Sequence, residues 1–151
     1  QIKHLSEIPN VGDIRGIEFE SDTVRNRAQF IIEENSRVRS FVDALKQGKM
    51  SFCGSLINKS HEGLSTLYEV SCPELDFLVD EARKFHQVGG ARMMGGGFGG
   101  CTLNLVHKGY IPHLKLKITS AYKSNFGLEP KFYPVEIEGQ TKSWYYNTSS
   151  I

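Results

Sequence analysis

A chain of 151 residues is long enough for one domain with a sizeable core and too short for two of ordinary size. Its 18 basic and 17 acidic side chains leave a formal net charge of +1, so no global field gathers nucleic acid or anionic lipid. The three cysteines, at 53, 72 and 101, form neither a C-x-x-C pair nor a zinc spacing with histidine, which predicts reduced thiols in a cytoplasmic protein and no metal site.

Residues 1–22 mix short apolar groups with Pro9, Gly12 and Gly16 without a sustained period, and read as loop with a short strand or helical turn. The chain begins at Gln1 rather than methionine, as expected of a piece of a longer protein. It shows no signal pattern and no apolar run near the ~20 residues of a spanning helix. From Thr23 as N-cap, apolar residues at Val24, Ala28, Ile31, Val38, Val42 and Leu45 predict a long amphipathic helix that stops at Gly48. Asn35 falls on that stripe as an interior amide, with a ligand role as the alternative. Arg25, Arg27, Arg37 and Arg39 alternate with Glu33 and Glu34, the pattern of a solvated or interdomain face rather than a nucleic-acid stripe.

A second helix carries Met50, Cys53, Ile57, His61 and Leu64 at helical spacing, and His61 reads as a buried imidazole bonded to backbone or carboxylate, or else as an active-site group. Ser71-Cys72-Pro73-Glu74 then announces a third helix through a capping box and a first-turn proline. Leu75, Leu78, Val79, Ala82 and Phe85 supply its buried face, with Asp76, Asp80 and Glu81 on a solvated one.

Gly95-Gly96-Gly97-Phe98-Gly99-Gly100 follows, ahead of a period-two strand from Cys101 to Val106. Such a run is either a turn or a place where backbone must come close to something, with N–H groups free to face a phosphate. Gly95, Gly97 and Gly100 satisfy G-x-G-x-x-G, but a dinucleotide fingerprint needs a helix to open there. No Lys-Ser/Thr pair closes a Walker A loop, and no V-A-I-K or H-R-D segment supports a protein-kinase loop. Gly109 and Pro112 start a fourth helix with Leu114, Ile118, Ala121, Tyr122 and Asn125 inward, closed by Gly127. Phe132 to Ile137 reads as an edge strand interrupted by Pro134, and Thr141 to Tyr146 as a last strand. The order of elements gives an α+β domain with helices layered on an antiparallel sheet.

The string from Gly90 to Thr102 closely resembles the third signature motif of the galactokinase, homoserine kinase, mevalonate kinase and phosphomevalonate kinase superfamily, in its galactokinase form. Ser60-His61, Leu64 and Tyr68 to Asp76 resemble the galactokinase segment just before that motif, and the likeness covers roughly Thr23 to Pro134. It implies the superfamily's ferredoxin-like C-terminal domain over 23–146, preceded at 1–22 by a linker from an N-terminal domain and followed by a tail at 147–151. It further implies transfer of the γ-phosphoryl group of ATP, with magnesium, to the anomeric hydroxyl of galactose.

In the family the sugar motif, the serine-rich phosphate loop and the catalytic aspartate lie in the N-terminal domain, and none of those strings occurs here. The expectation is therefore a C-terminal portion, inactive alone, with no catalytic residue or metal ligand of its own. It would contribute Gly95, Gly96, Gly97, Phe98, Gly99 and Gly100 to nucleotide binding, with ATP and magnesium held mainly by the N-terminal domain. Galactose, ATP and that domain are the implied partners, without nucleic acid or membrane. Phe98 is expected as an anchor beneath the loop, while Met94 departs from the family's usual threonine. A non-catalytic galactose- and ATP-sensing relative, an N-acetylgalactosamine kinase and a free-standing ferredoxin-like binding module are the alternatives.

Overall fold

The computed structural model describes residues 4–135, which form α1 (Asp22–Lys46), α2 (Met50–Thr66), α3 (Pro73–Arg83), the antiparallel pair β1 (Val88–Met94) and β2 (Cys101–Val106), and α4 (Ile111–Phe126). The α+β class expected from the sequence is the one observed. The N-cap of α1 is Ser21 rather than Thr23, and its hydroxyl accepts the Val24 N–H at 3.3 Å. Asp22 in the first turn and Lys46 in the last complement the helix dipole.

The face that α1 buries differs from the expected stripe. Ala28, Phe30, Ile32 and Ala44 are buried, whereas Val38 is 56% exposed and Val24, Val42 and Leu45 are also open. Ile32 is covered from the N-terminal side, where two 3-10 turns, Leu5–Glu7 and Val11–Ile14, set Ile8 and Ile14 against it. The stretch read as loop with a short strand or helical turn forms two such turns and supplies part of the core.

Glycine shapes the contact between α2 and β1. A Cβ on Gly54 would stand 1.9 Å from the Gly89 carbonyl oxygen, so only a bare backbone lets this helix lie so close to the strand. The pair β1–β2 runs in register from Gly90↔Leu105 to Met94↔Cys101, with an irregularity between Val88 and Gly90.

The α3 helix starts at Pro73, and its N-cap Cys72 makes no side-chain cap bond. The expected capping box is absent: with Cys72 as N-cap, Glu74 stands at the second helical position rather than the third, and the Ser71 hydroxyl donates to Asp76 Oδ1 at 2.5 Å. Gly127, at φ +70°, closes α4 in the left-handed conformation expected of it, and Leu114 and Ile118 enter a core with Val79, Ala82, Val88 and Ala91. Asn125 is exposed rather than inward. No strand forms at 132–135, where Phe132 packs on that core; the remainder of the expected strand and the one at 141–146 lie outside the described residues. A second cluster, Phe30, Leu64, Leu75 and Met93, joins α1, α2, α3 and β1 at the entry to the glycine run. Burying each large apolar side chain of this kind contributes about 1.5–3 kcal/mol.

Candidate functional site

Backbone conformation accounts for much of the glycine run. Gly95, Gly97, Gly99 and Gly100 have φ of +89°, +86°, +136° and +100°, a region that costs an L side chain about 1–2 kcal/mol. Phe98 also sits there, at +60°. Only Gly97 touches its own chain closely: a Cβ there would lie 2.0 Å from the Val70 carbonyl oxygen. The same oxygen accepts the Phe98 N–H at 2.7 Å, fastening the middle of the loop to the α2–α3 connection. That connection is itself tight. The N–H groups of Tyr68 and Val70 return to the carbonyls of Gly63 and Leu64, and Glu69 between them is left-handed at φ +57°.

The strand leading into the loop is held along the edge that β2 does not occupy. Asn58 Oδ1 accepts the Ala91 N–H at 2.9 Å, and Arg83 Nη2 donates to the Ala91 carbonyl at 3.1 Å. Two residues on, His61 Nδ1 accepts the Met93 N–H at 3.2 Å and Arg92 Nε donates to the Met93 carbonyl at 2.9 Å. Side chains, two of them from α2, thus satisfy edge groups that another strand would otherwise pair.

His61 is 4% exposed, in keeping with a buried imidazole bonded to backbone. With Nδ1 accepting, the neutral ring carries its proton on Nε2, which faces Asp76 Oδ1 at 3.2 Å. Burial, then the Arg83 charge, pushes the imidazole below its ordinary pKa, while Asp76 and Asp80 pull the other way and Arg92 adds a smaller downward push. Asp76 does not belong to a purely solvated face. Its carboxylate also receives the hydroxyls of Ser71 at 2.5 Å and Ser65 at 3.2 Å.

Arg37, read as part of a solvated or interdomain face, is not on a solvated one. Its side chain is only 12% exposed and donates from Nε to Glu34 Oε2 at 2.7 Å. Glu34 Oε1 accepts from Ser60 at 2.5 Å and from Arg92 at 3.2 Å, so one carboxylate ties α1 to α2 and β1. Sequence pattern could not find these partners, which lie 26 and 58 positions away.

Phe98 is not an anchor: it is 76% exposed. Met94, Cys101 and Leu103, which register places on one face of the hairpin, are exposed as well. Ideal Cβ atoms at Gly95, Gly96, Gly99 and Gly100 meet nothing within 4 Å. The loop therefore offers open backbone beside an exposed apolar surface. No group of three or more His, Cys, Asp or Glu able to hold a metal ion occurs among the described residues. No helix among them is long and apolar enough to cross a membrane. A cavity of about 330 Å³ between the N-terminal turns, α1 and α2, lined in part by Asn10, Ile32 and Lys59, includes no loop residue.

This α+β domain, with its glycine loop on a hairpin, belongs to the family described as GHMP kinases C terminal, whose model matches residues 41–124. Its relatives include galactokinases. That of Thermotoga petrophila is 47% identical over 116 residues, covering 77% of this chain and 33% of that protein. The galactokinase of Clostridium beijerinckii is 39% identical over 149 residues, covering 94% of this chain and 38% of that protein. The crystal structure of Lactococcus lactis galactokinase complexed with galactose superposes with a TM-score of 0.83 at 32% identity, over 88% of this chain and 34% of that one. The chain thus spans about a third of the length of the relatives it matches.

Proposed function

We propose that this chain is the C-terminal portion of an ATP-dependent galactokinase, in which Gly95–Gly100 forms one wall of a site completed by an N-terminal domain. The observation that carries the proposal is the openness of the loop: a Cβ at any of its glycines but Gly97 would meet nothing within 4 Å, while Phe98 and Met94 stand exposed beside them. Bare backbone of this kind is what two domains need to close over a triphosphate and a sugar. The loop's contribution to phosphoryl transfer is positional and electrostatic, since backbone N–H groups facing phosphate oxygens favour negative charge without contributing a reacting atom. The Phe98 N–H is excluded from that duty because Val70 already holds it.

The sugar contacts, magnesium ligands and catalytic carboxylate come, in this proposal, from the N-terminal domain, joined through residues 1–22 and working in the cytoplasm. The chain alone is accordingly inactive. The test joins it to the N-terminal two-thirds of Thermotoga maritima galactokinase, a protein 46% identical to it over 116 residues. The joined protein is expected to phosphorylate galactose in an ATP-dependent reaction, and the isolated chain to show no turnover above blank. A folded but inactive joined protein, or turnover by the chain alone, overturns the proposal.

A further inference from the structure

The loop closes the β1–β2 ladder at the Met94↔Cys101 pair and is held by further bonds at two places. At its entry Met93 is bonded through both backbone groups, and in its middle the Phe98 N–H is bonded to Val70. A Cβ added at any glycine of the run other than Gly97 would meet nothing within 4 Å, so these two attachments act with the β1–β2 ladder to set where the loop stands.

We propose that Asp76 and His61 are positioning residues that couple the two attachments, with one carboxylate oxygen fixing the entry of the glycine loop and its midpoint together. Asp76 Oδ1 faces His61 Nε2 at 3.2 Å, and the other ring nitrogen of His61 holds the Met93 N–H. The same Oδ1 takes the hydroxyl of Ser71, whose preceding residue is Val70, the one that holds Phe98. A displacement of Asp76 therefore reaches the loop by two routes at once. The carboxylate also orients the ring. A proton kept on Nε2 leaves Nδ1 free to accept, and an imidazole protonated on both nitrogens cannot accept from Met93 at all. The charged groups acting on the ring are Asp76, Asp80 and Arg83 from α3 and Arg92 from β1.

The coupling stands on geometry within this chain; its effect on catalysis rests on the proposed galactokinase role. Two readouts keep them apart. In the isolated chain, amide NMR and hydrogen exchange of Asp76→Asn and of the milder Ser71→Ala report the loop directly. Both variants are expected to shift the amide signals of Gly95 to Gly100 and to speed exchange at Phe98 by about tenfold or more. Ser71→Thr, which keeps the hydroxyl, is expected to restore wild-type behaviour. Val79→Ala, a core truncation in the α3–α4 cluster, costs stability without moving those signals.

In the joined protein, Asp76→Asn is expected to raise KM for ATP by several-fold more than it lowers kcat. Unchanged loop signals and Phe98 exchange in folded Asp76→Asn, or equal shifts in Val79→Ala, would overturn the coupling. An inactive joined protein whose isolated chain still shows the NMR response would overturn the galactokinase role and uphold the coupling.

Discussion

Val70 and Gly97 meet backbone to backbone, so closely that a Cβ at position 97 would lie 2.0 Å from the Val70 oxygen and 2.8 Å from its Cβ. The next amide, Phe98, donates to that oxygen at 2.7 Å. Gly97 is thus required by this chain's own path, apart from anything the loop binds. Gly96 is different, because it lies outside the left-handed region and has open space around it.

Gly97→Ala is expected to detach the loop from Val70, since an alanine there combines strained φ with a backbone collision. Global stability should fall by about 1–3 kcal/mol, the usual range for overpacking. Urea unfolding and Phe98 amide exchange measure the two effects. Retained Phe98 protection would show that the contact is not as described.

Stability should fall toward acid through His61. Its folded pKa is depressed from the ordinary 6.5, so on acidification the unfolded chain takes up the proton first. The stabilisation is complete above that ordinary value and is lost as pH falls through the lower, folded one. Urea unfolding at pH 8 and pH 5.5 should therefore show a larger loss for the wild-type chain than for His61→Gln, which has no imidazole to charge. Equal losses would mean that His61 is not held neutral.

At Gly54 helix propensity and packing predict opposite signs. Alanine is favoured over glycine inside a helix by about 1 kcal/mol. Here, however, its Cβ would lie 1.9 Å from the Gly89 oxygen and 2.5 Å from the Gly89 carbonyl carbon. Gly54→Ala should destabilise by about 2–3 kcal/mol, because the obstruction is backbone and cannot swing aside. A raised urea midpoint would show that α2 stands further from β1.

Asn58→Ala should cost about 2–3 kcal/mol, since it removes the acceptor shared by the Ala91 N–H and Arg83 Nε, each at 2.9 Å. Urea unfolding measures it. A loss below about 0.5 kcal/mol, the size typical of a surface change, would show that this strand edge does not depend on the α2 side chain.

Much of the architecture was legible because local signals do not need partners to be read. Pro73 and Pro112 mark helix starts by their fixed φ and Gly127 a helix end by its access to left-handed φ, and Leu75, Val79 and Ala82 fall on the one apolar face that α3 possesses. In α1 period alone misled. Val24, Val38, Val42 and Leu45 make a regular stripe, but α2 and the N-terminal turns cover the neighbouring face that holds Phe30 and Ile32. The loop itself was recognisable from its string, and its supports only partly. The S-x-x-E spacing of Ser71 and Glu74 favoured a capping box, but the helix starts one residue later than that box requires and the Ser71 hydroxyl bonds Asp76 instead. The contact of Gly97 with Val70 spans 27 positions, and no local pattern encodes a meeting of two backbones at that separation.

Gly96→Val tests most directly whether the open glycines serve a partner rather than the fold. In the isolated chain the substitution should leave the unfolding free energy from urea titration within about 0.5 kcal/mol of wild type, because its Cβ meets nothing within 4 Å. In the joined protein, kcat/KM for galactose phosphorylation should drop by about 100-fold or more, as side chains intrude where nucleotide and N-terminal domain close in. A folded joined protein that keeps wild-type kcat/KM with valine at this position would contradict the placement of the loop in the active site.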